Sequence, residues 1–89
     1  MDFGQALHAL WDGERVARKT WSQTQFICLV SGIESANAGN VSGALVQLVV
    51  GRQDVRILPR IDMVISPTAI QPGWIPSQVD LLSSDWVTR

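Results

Sequence analysis

The sequence predicts an α+β fold: an N-terminal helix packed on a small antiparallel β-sheet, with a short C-terminal helical turn and a closing strand. Three features carry this prediction. A well-punctuated amphipathic segment opens the chain, short runs of Val, Ile and Phe follow, and clusters of Gly, Ser, Asn and Pro separate those runs.

The helix starts at Asp2, whose side chain can cap it, and Gln5 three residues later completes a capping-box pattern. Phe3, Ala6, Leu7, Leu10 and Trp11 fall at helical spacing and define one apolar face, so Trp11 is expected in the core. His8 lies off that face, and Gly13 can supply the left-handed residue that ends the helix. "RVARKTW" reads as a short strand and "QFICLVSG" as a second. In the latter, Phe26, Cys28 and Val30 alternate with Ile27 and Leu29, and both sets are apolar. That strand is expected to be central and covered on both faces, by the helix on one side and a partner chain on the other.

"SGIESANAGNVSG" reads as a loop by composition, an insertion too short to link domains. "ALVQLVVG" fits a short helix between Ser42 and Gly51, although its valines also suit a strand. "DVRILPRIDMVIS" is strand material on either side of Pro59, which cannot donate to a sheet and implies an edge or a bulge. "PTAIQPGWIP" is rich in turn residues, "SQVDLLSS" is a helical turn or two, and "DWVTR" closes the sheet.

With 89 residues the chain is one domain spanning 1–89, and its core must be modest. Hydrophobic residues make up 46% and charged residues 17%, against about 25% charged in ordinary soluble domains. So small a body with so little charge must show apolar surface, which predicts a homo-oligomer. Net charge is −1, with 7 Lys and Arg against 8 Asp and Glu, and no basic run occurs. DNA or long RNA is therefore not the expected partner, whereas a small phosphorylated ligand needs only a cation or two. The single Cys28 excludes an internal disulfide and fits a reducing compartment. "MDFGQALHALW" lacks a basic region typical of a signal peptide, and no apolar run approaches a membrane span. A soluble intracellular protein with no membrane partner is expected.

Catalytic chemistry finds little to work with. One His and one Cys do not make a metal site, Cys28 sits among apolar neighbours where a thiol is inert, and His8 belongs to no nucleophile motif. No glycine-rich phosphate loop occurs. No catalytic residue, metal or cofactor is expected. What the sequence does hold is a vocabulary for binding. Trp21 and Trp74 offer flat faces on which a base can stack, or close the core or a subunit interface. Trp86 is expected in the core or an interface. Arg15, Arg18, Lys19, Arg52, Arg56 and Arg60 can meet phosphate, and Asp62, Gln78 and Asp80 can accept from base edges and ribose. Ser77 and Asp80 are at the same time a capping box before Leu81 and Leu82.

Taken together and in order, "DFGQALHAL", "RVARKTW", "PRIDMV" and "PGWIPSQVDLLSSDW" resemble the small phage and prophage proteins of the second Thoeris anti-defence type. The resemblance implies a nucleotide sponge: a homo-oligomer, a tetramer by family expectation, with ligand pockets between chains. These would take up cyclic ADP-ribose-type immune signals without cleaving them, and some members of the family also bind cyclic dinucleotides at separate sites. The setting would be the cytoplasm of the infected or lysogenic bacterium. Carried onto this sequence, Phe3 and Gly4 begin the helix beside the pocket, and Trp21 stacks on a purine. Asp62, Gln78 and Asp80 hydrogen-bond base and ribose, with Trp74 as a further ring. Arg60, beside the I-D-M strand, is our own addition as a pyrophosphate partner. Residues 31–51 and "VISPTAIQPGW" depart from the family pattern. The alternative is a structural or protein-interaction module of a phage, in which the same tryptophans form a subunit interface.

Overall fold

A computed structural model describes residues 1–89. Helix α1 (Phe3–Trp11) is capped as its sequence requires. The Asp2 carboxylate accepts from the Gln5 amide at 2.8 Å, and the Gln5 side chain accepts from the Asp2 amide at 3.0 Å. Its far end closes in a Schellman motif: the Gly13 amide donates to Leu10 and the Glu14 amide to Ala9, with Gly13 at φ 85°.

Five strands form the main sheet in the order β6-β5-β2-β1-β7, every pairing antiparallel. They are β1 (Val16–Arg18), β2 (Phe26–Val30), β5 (Arg60–Ser66), β6 (Ala69–Gln71) and β7 (Trp86–Thr88). A second, two-stranded sheet pairs β3 (Ile33–Ala36) with β4 (Val55–Ile57), with α2 (Ala44–Val49) between them in sequence. Helix α3 (Gln78–Leu82) precedes β7.

β2 is central, as its two apolar faces predict. Ile27 is fully buried under α1, in a core with Ala6, Ala9, Leu10, Val16, Met63 and Trp86. Phe26, Cys28 and Val30, on the other face, are only half-buried, because no helix packs on that side. Cys28 is accordingly not enclosed core. Pro59 does more than mark an edge. It separates β4 from β5, so the strand material on its two sides enters two different sheets.

Three expectations are corrected. Trp11 is 61% exposed, not core. It lies about 100° round the helix from Leu10, on the far side from Ala6 and Ala9, and alanine at position 9 takes the buried place. The Gly- and Ser-rich stretch is not all loop: Ile33–Ala36 is strand β3, paired with β4. Likewise the turn-rich segment contains β6, which pairs with β5 through Met63↔Gln71 and Val64↔Ile70. In both cases a neighbouring strand's open hydrogen-bonding edge overrides local composition. Helix α2 forms as expected, but Gly43 rather than Ser42 sits at its cap, with no side-chain hydrogen bond.

Candidate functional site

The aromatic part of the expected site does come together, and it does so by packing on Trp86. That ring is fully buried, and around it stand Phe3 and Trp21 at 5.3 Å and Trp74 at 6.2 Å, all edge-on. Trp21 and Trp74 also meet each other at 6.1 Å, and Phe3 meets Trp74 at 6.5 Å. Edge-to-face contact of this kind is the preferred arrangement of ring quadrupoles. Phe3, Trp21 and Trp74 remain half-buried, so each keeps part of its ring on the surface. Gly4 is exposed on the first turn of α1 beside them.

Asp80 joins this cluster to Ser77 and Arg18. Its carboxylate accepts from the Ser77 amide at 3.0 Å, completing a capping box on α3, and from Arg18 Nη1 at 3.3 Å. Its main-chain carbonyl accepts from Trp86 Nε1 at 2.9 Å, which satisfies the only polar atom of a fully buried indole. Gln78, the first residue of α3, is exposed.

Arg18 links the cluster to the sheet. Besides Asp80 it donates Nε to Asp85 Oδ1 at 2.9 Å and Nη2 to Oδ2 at 3.3 Å, a two-pronged grip that suits a planar guanidinium. The Arg18 guanidinium holds the Asp85 carboxyl below the usual carboxylate range, against burial, which pushes it up. In return Asp85 raises the already high pKa of Arg18, with desolvation opposing and Asp80 adding to the rise. Asp85 was not among the residues singled out by sequence. It directly precedes Trp86, the residue that stands opposite Arg18 in the β1–β7 register, and this brings its carboxylate within reach of the guanidinium.

Arg60 and Asp62 lie elsewhere. In the β2–β5 register Asp62 stands opposite Cys28, while Ile61 and Met63 stand opposite Leu29 and Ile27. Strand alternation therefore puts Asp62 on the face away from α1 and from the aromatic cluster. Its Oδ1 accepts from Arg60 Nε and from the Gly73 amide, both at 2.9 Å, and its Oδ2 accepts from Arg60 Nη2 at 3.3 Å. Burial pushes the Asp62 carboxyl up, but Arg60 and the Gly73 amide together outweigh it and hold the group below its ordinary value. The Gly73–Trp74 dipeptide joins the two halves of the expected site: the Gly73 amide donates to Asp62 and the Trp74 amide to the Ile61 carbonyl at 2.7 Å.

Most of the expected phosphate donors are already engaged. Arg15 lies over the Phe26 ring at 4.7 Å, Arg56 pairs with Glu34 at 3.3 Å, and Arg18 and Arg60 hold carboxylates. Lys19 and Arg52 are exposed and make no ion pair. Two surface clefts, of about 370 and 400 Å³, are lined by none of the four clustered rings: Gly13, Glu14, Arg15 and Arg89 line one, and Trp11, Arg56 and Pro59 line the other. No three His, Cys, Asp or Glu side chains are grouped so as to hold a metal ion. No helix is long and apolar enough to cross a membrane.

A helix-on-sheet scaffold whose rings, carboxylates and guanidinium are knitted together by the C-terminal motif defines a small α+β domain. A family model described as Tad2-like, the Thoeris anti-defense 2-like domain, matches residues 1–88, and the chain belongs to that family. Membership supports an anti-defence role. No curated protein matches the chain significantly.

Proposed function

We propose that the chain is an anti-defence sponge. It binds and sequesters cyclic nucleotide immune signals, cyclic ADP-ribose isomers first and cyclic dinucleotides as a second class, without cleaving them, and so keeps a bacterial anti-phage effector from being activated. The observation that carries this reading is the ring cluster: Phe3, Trp21 and Trp74 stay half-buried around Trp86, whose indole nitrogen donates to the Asp80 carbonyl. A base stacked on such a face gains on the order of 1–3 kcal/mol.

The separation of Arg60 and Asp62 from that cluster fits a pocket shared between chains. Groups on opposite faces of one sheet reach the same small ligand when two protomers each contribute one face. The apolar residues left exposed, Ile75 at 83%, Leu82 at 84% and Ile70 at 65%, supply surface for such an assembly, which we take to be a homotetramer. The carboxylates also favour holding over cleaving. Asp62 is kept ionised by its donors, and the Asp80 carboxylate is already engaged by Ser77 and Arg18, so neither stands free as a general base.

The test is to incubate the pure protein with cyclic ADP-ribose isomers and cyclic dinucleotides, separate protein from free ligand, and heat the protein fraction. Depletion followed by release of unchanged ligand is expected. No depletion across the panel overturns the reading, and new products would make the protein an enzyme. A second reading, a protein-interaction module, is favoured by one observation: the rings pack on one another and on Trp86. It predicts that Trp21→Ala breaks the assembly and that no nucleotide raises Tm.

A further inference from the structure

The segment between β1 and β2, "KTWSQTQ" (residues 19–25), carries Trp21 and contains neither Gly nor Pro, the residues that usually fix a turn. It is nonetheless folded into two successive turns. The Trp21 amide donates to the Arg18 carbonyl at 3.0 Å, and the Gln25 amide donates to Ser22 at 3.1 Å. What the turns share is a cation. Arg89 Nη1 donates to the Ser22 carbonyl and, at 2.8 Å, to that of Gln25, while Nη2 donates to Trp21 at 3.1 Å and Arg18 at 3.3 Å. Four main-chain carbonyls thus converge on one guanidinium and use every hydrogen on its two terminal nitrogens. The backbone of Arg89 is itself fixed, its amide donating to the Arg15 carbonyl at 2.8 Å as β7 pairs with β1.

We propose that Arg89 is a positioning residue for ligand uptake: its guanidinium gathers the carbonyls of the 19–25 loop and so sets the height and tilt of Trp21. This inference rests on the sponge reading for its effect on affinity, and on the hydrogen bonds alone for its effect on the loop. The chemistry is selective. Each carbonyl carries a partial negative charge, and their convergence is unfavourable without a cation between them. A lysine ammonium has three donors and no planar fork, so it can serve only part of the set. Trp21 is gripped twice, at its ring by Trp74 and Trp86 and at its main chain by Arg89. Without the second grip the ring can still touch its neighbours while the loop explores other turns, and a ligand must then pay to order it.

Amide hydrogen exchange on Arg89→Met and Arg89→Lys, beside affinities for cyclic ADP-ribose and its isomers, tests this. Exchange in residues 19–25 is expected to speed up by about ten-fold or more in Arg89→Met and by less in Arg89→Lys, with β2 and β5 unchanged. Affinity is expected to fall by about ten-fold in Arg89→Met and to be partly restored in Arg89→Lys. Unchanged exchange in 19–25, or a uniform rise across the whole sheet, overturns the clamp. Local loosening with unaltered affinity overturns its link to the ligand. If the wild-type protein takes up no nucleotide at all, the sponge reading fails, and the exchange result still decides whether Arg89 orders the loop.

Discussion

At the scale of single residues, the cluster separates one fully enclosed ring, Trp86, from three that keep part of their surface open. Trp86 is fully enclosed and its indole N–H is satisfied, so Trp86→Ala is expected to cost about 3–5 kcal/mol, read as a lower urea midpoint. Trp21 is half-buried, so Trp21→Ala is expected to cost less stability but to weaken nucleotide binding by about ten- to a hundred-fold, measured by calorimetry. Asp85 gives a dependence on pH with a definite sign. Its carboxyl is held low by Arg18 in the folded chain, so its contribution is complete above the unfolded value of about 3.9 and is lost as pH falls through the lower folded value. Asp85→Asn is therefore expected to be less stable than wild type at pH 7, with the gap closing below about pH 4 in a series of denaturation curves.

Among elements, the β3–α2–β4 arm forms its own two-stranded sheet and meets the main sheet at a tight crossing. At Gly32 an added Cβ would stand 2.0 Å from the Ile57 carbonyl oxygen and 3.0 Å from the Pro59 nitrogen, all of it backbone that cannot step aside. Gly32→Ala is expected to cost about 1–3 kcal/mol and to loosen the arm while the five-stranded sheet keeps its protection, as hydrogen exchange would show. An intact arm in that variant would mean the crossing is less constrained than its geometry implies. The arm's own buried residues, Ala36 and Val49, lie outside the main core cluster. Helix α2 shows Leu48 at 56% exposure and Leu45 at 37%. Its short length and missing side-chain cap leave its stability to packing rather than to its own ends.

For the whole molecule, shape and composition point the same way. The radius of gyration is 15.4 Å, against about 12 Å for a compact chain of this length, and the longest extent is 46 Å. Only 11 of 89 residues are buried, and large apolar side chains stand exposed on α2, β6 and α3. A chain that hides so little by itself is expected to hide more against copies of itself. Sedimentation should give a mass that is a multiple of 9.8 kDa, and dilution should lower Tm. A monomer at micromolar concentration with a dilution-independent Tm would remove the shared pocket from the functional proposal.

The sequence by itself determined what depends on neighbours along the chain. The capping boxes at Asp2 and Ser77, the left-handed Gly13, the alternation of β2 and the break at Pro59 are local patterns with local consequences, and the ordered motifs pointed to the family. Only the tertiary structure decided what depends on partners distant in sequence. It exposed Trp11 because Ala9 fits under the helix, made strands of Ile33–Ala36 and Ala69–Gln71 because open edges lay beside them, and joined Asp85 to Arg18 across 67 positions. It also divided the expected site, placing Asp62 on one face of the sheet and Trp21 on the other. Spacing along one strand reports which face a residue shares with its own strand. Which face becomes core is set by the helix that covers it, and that energy arises only once the chain has closed.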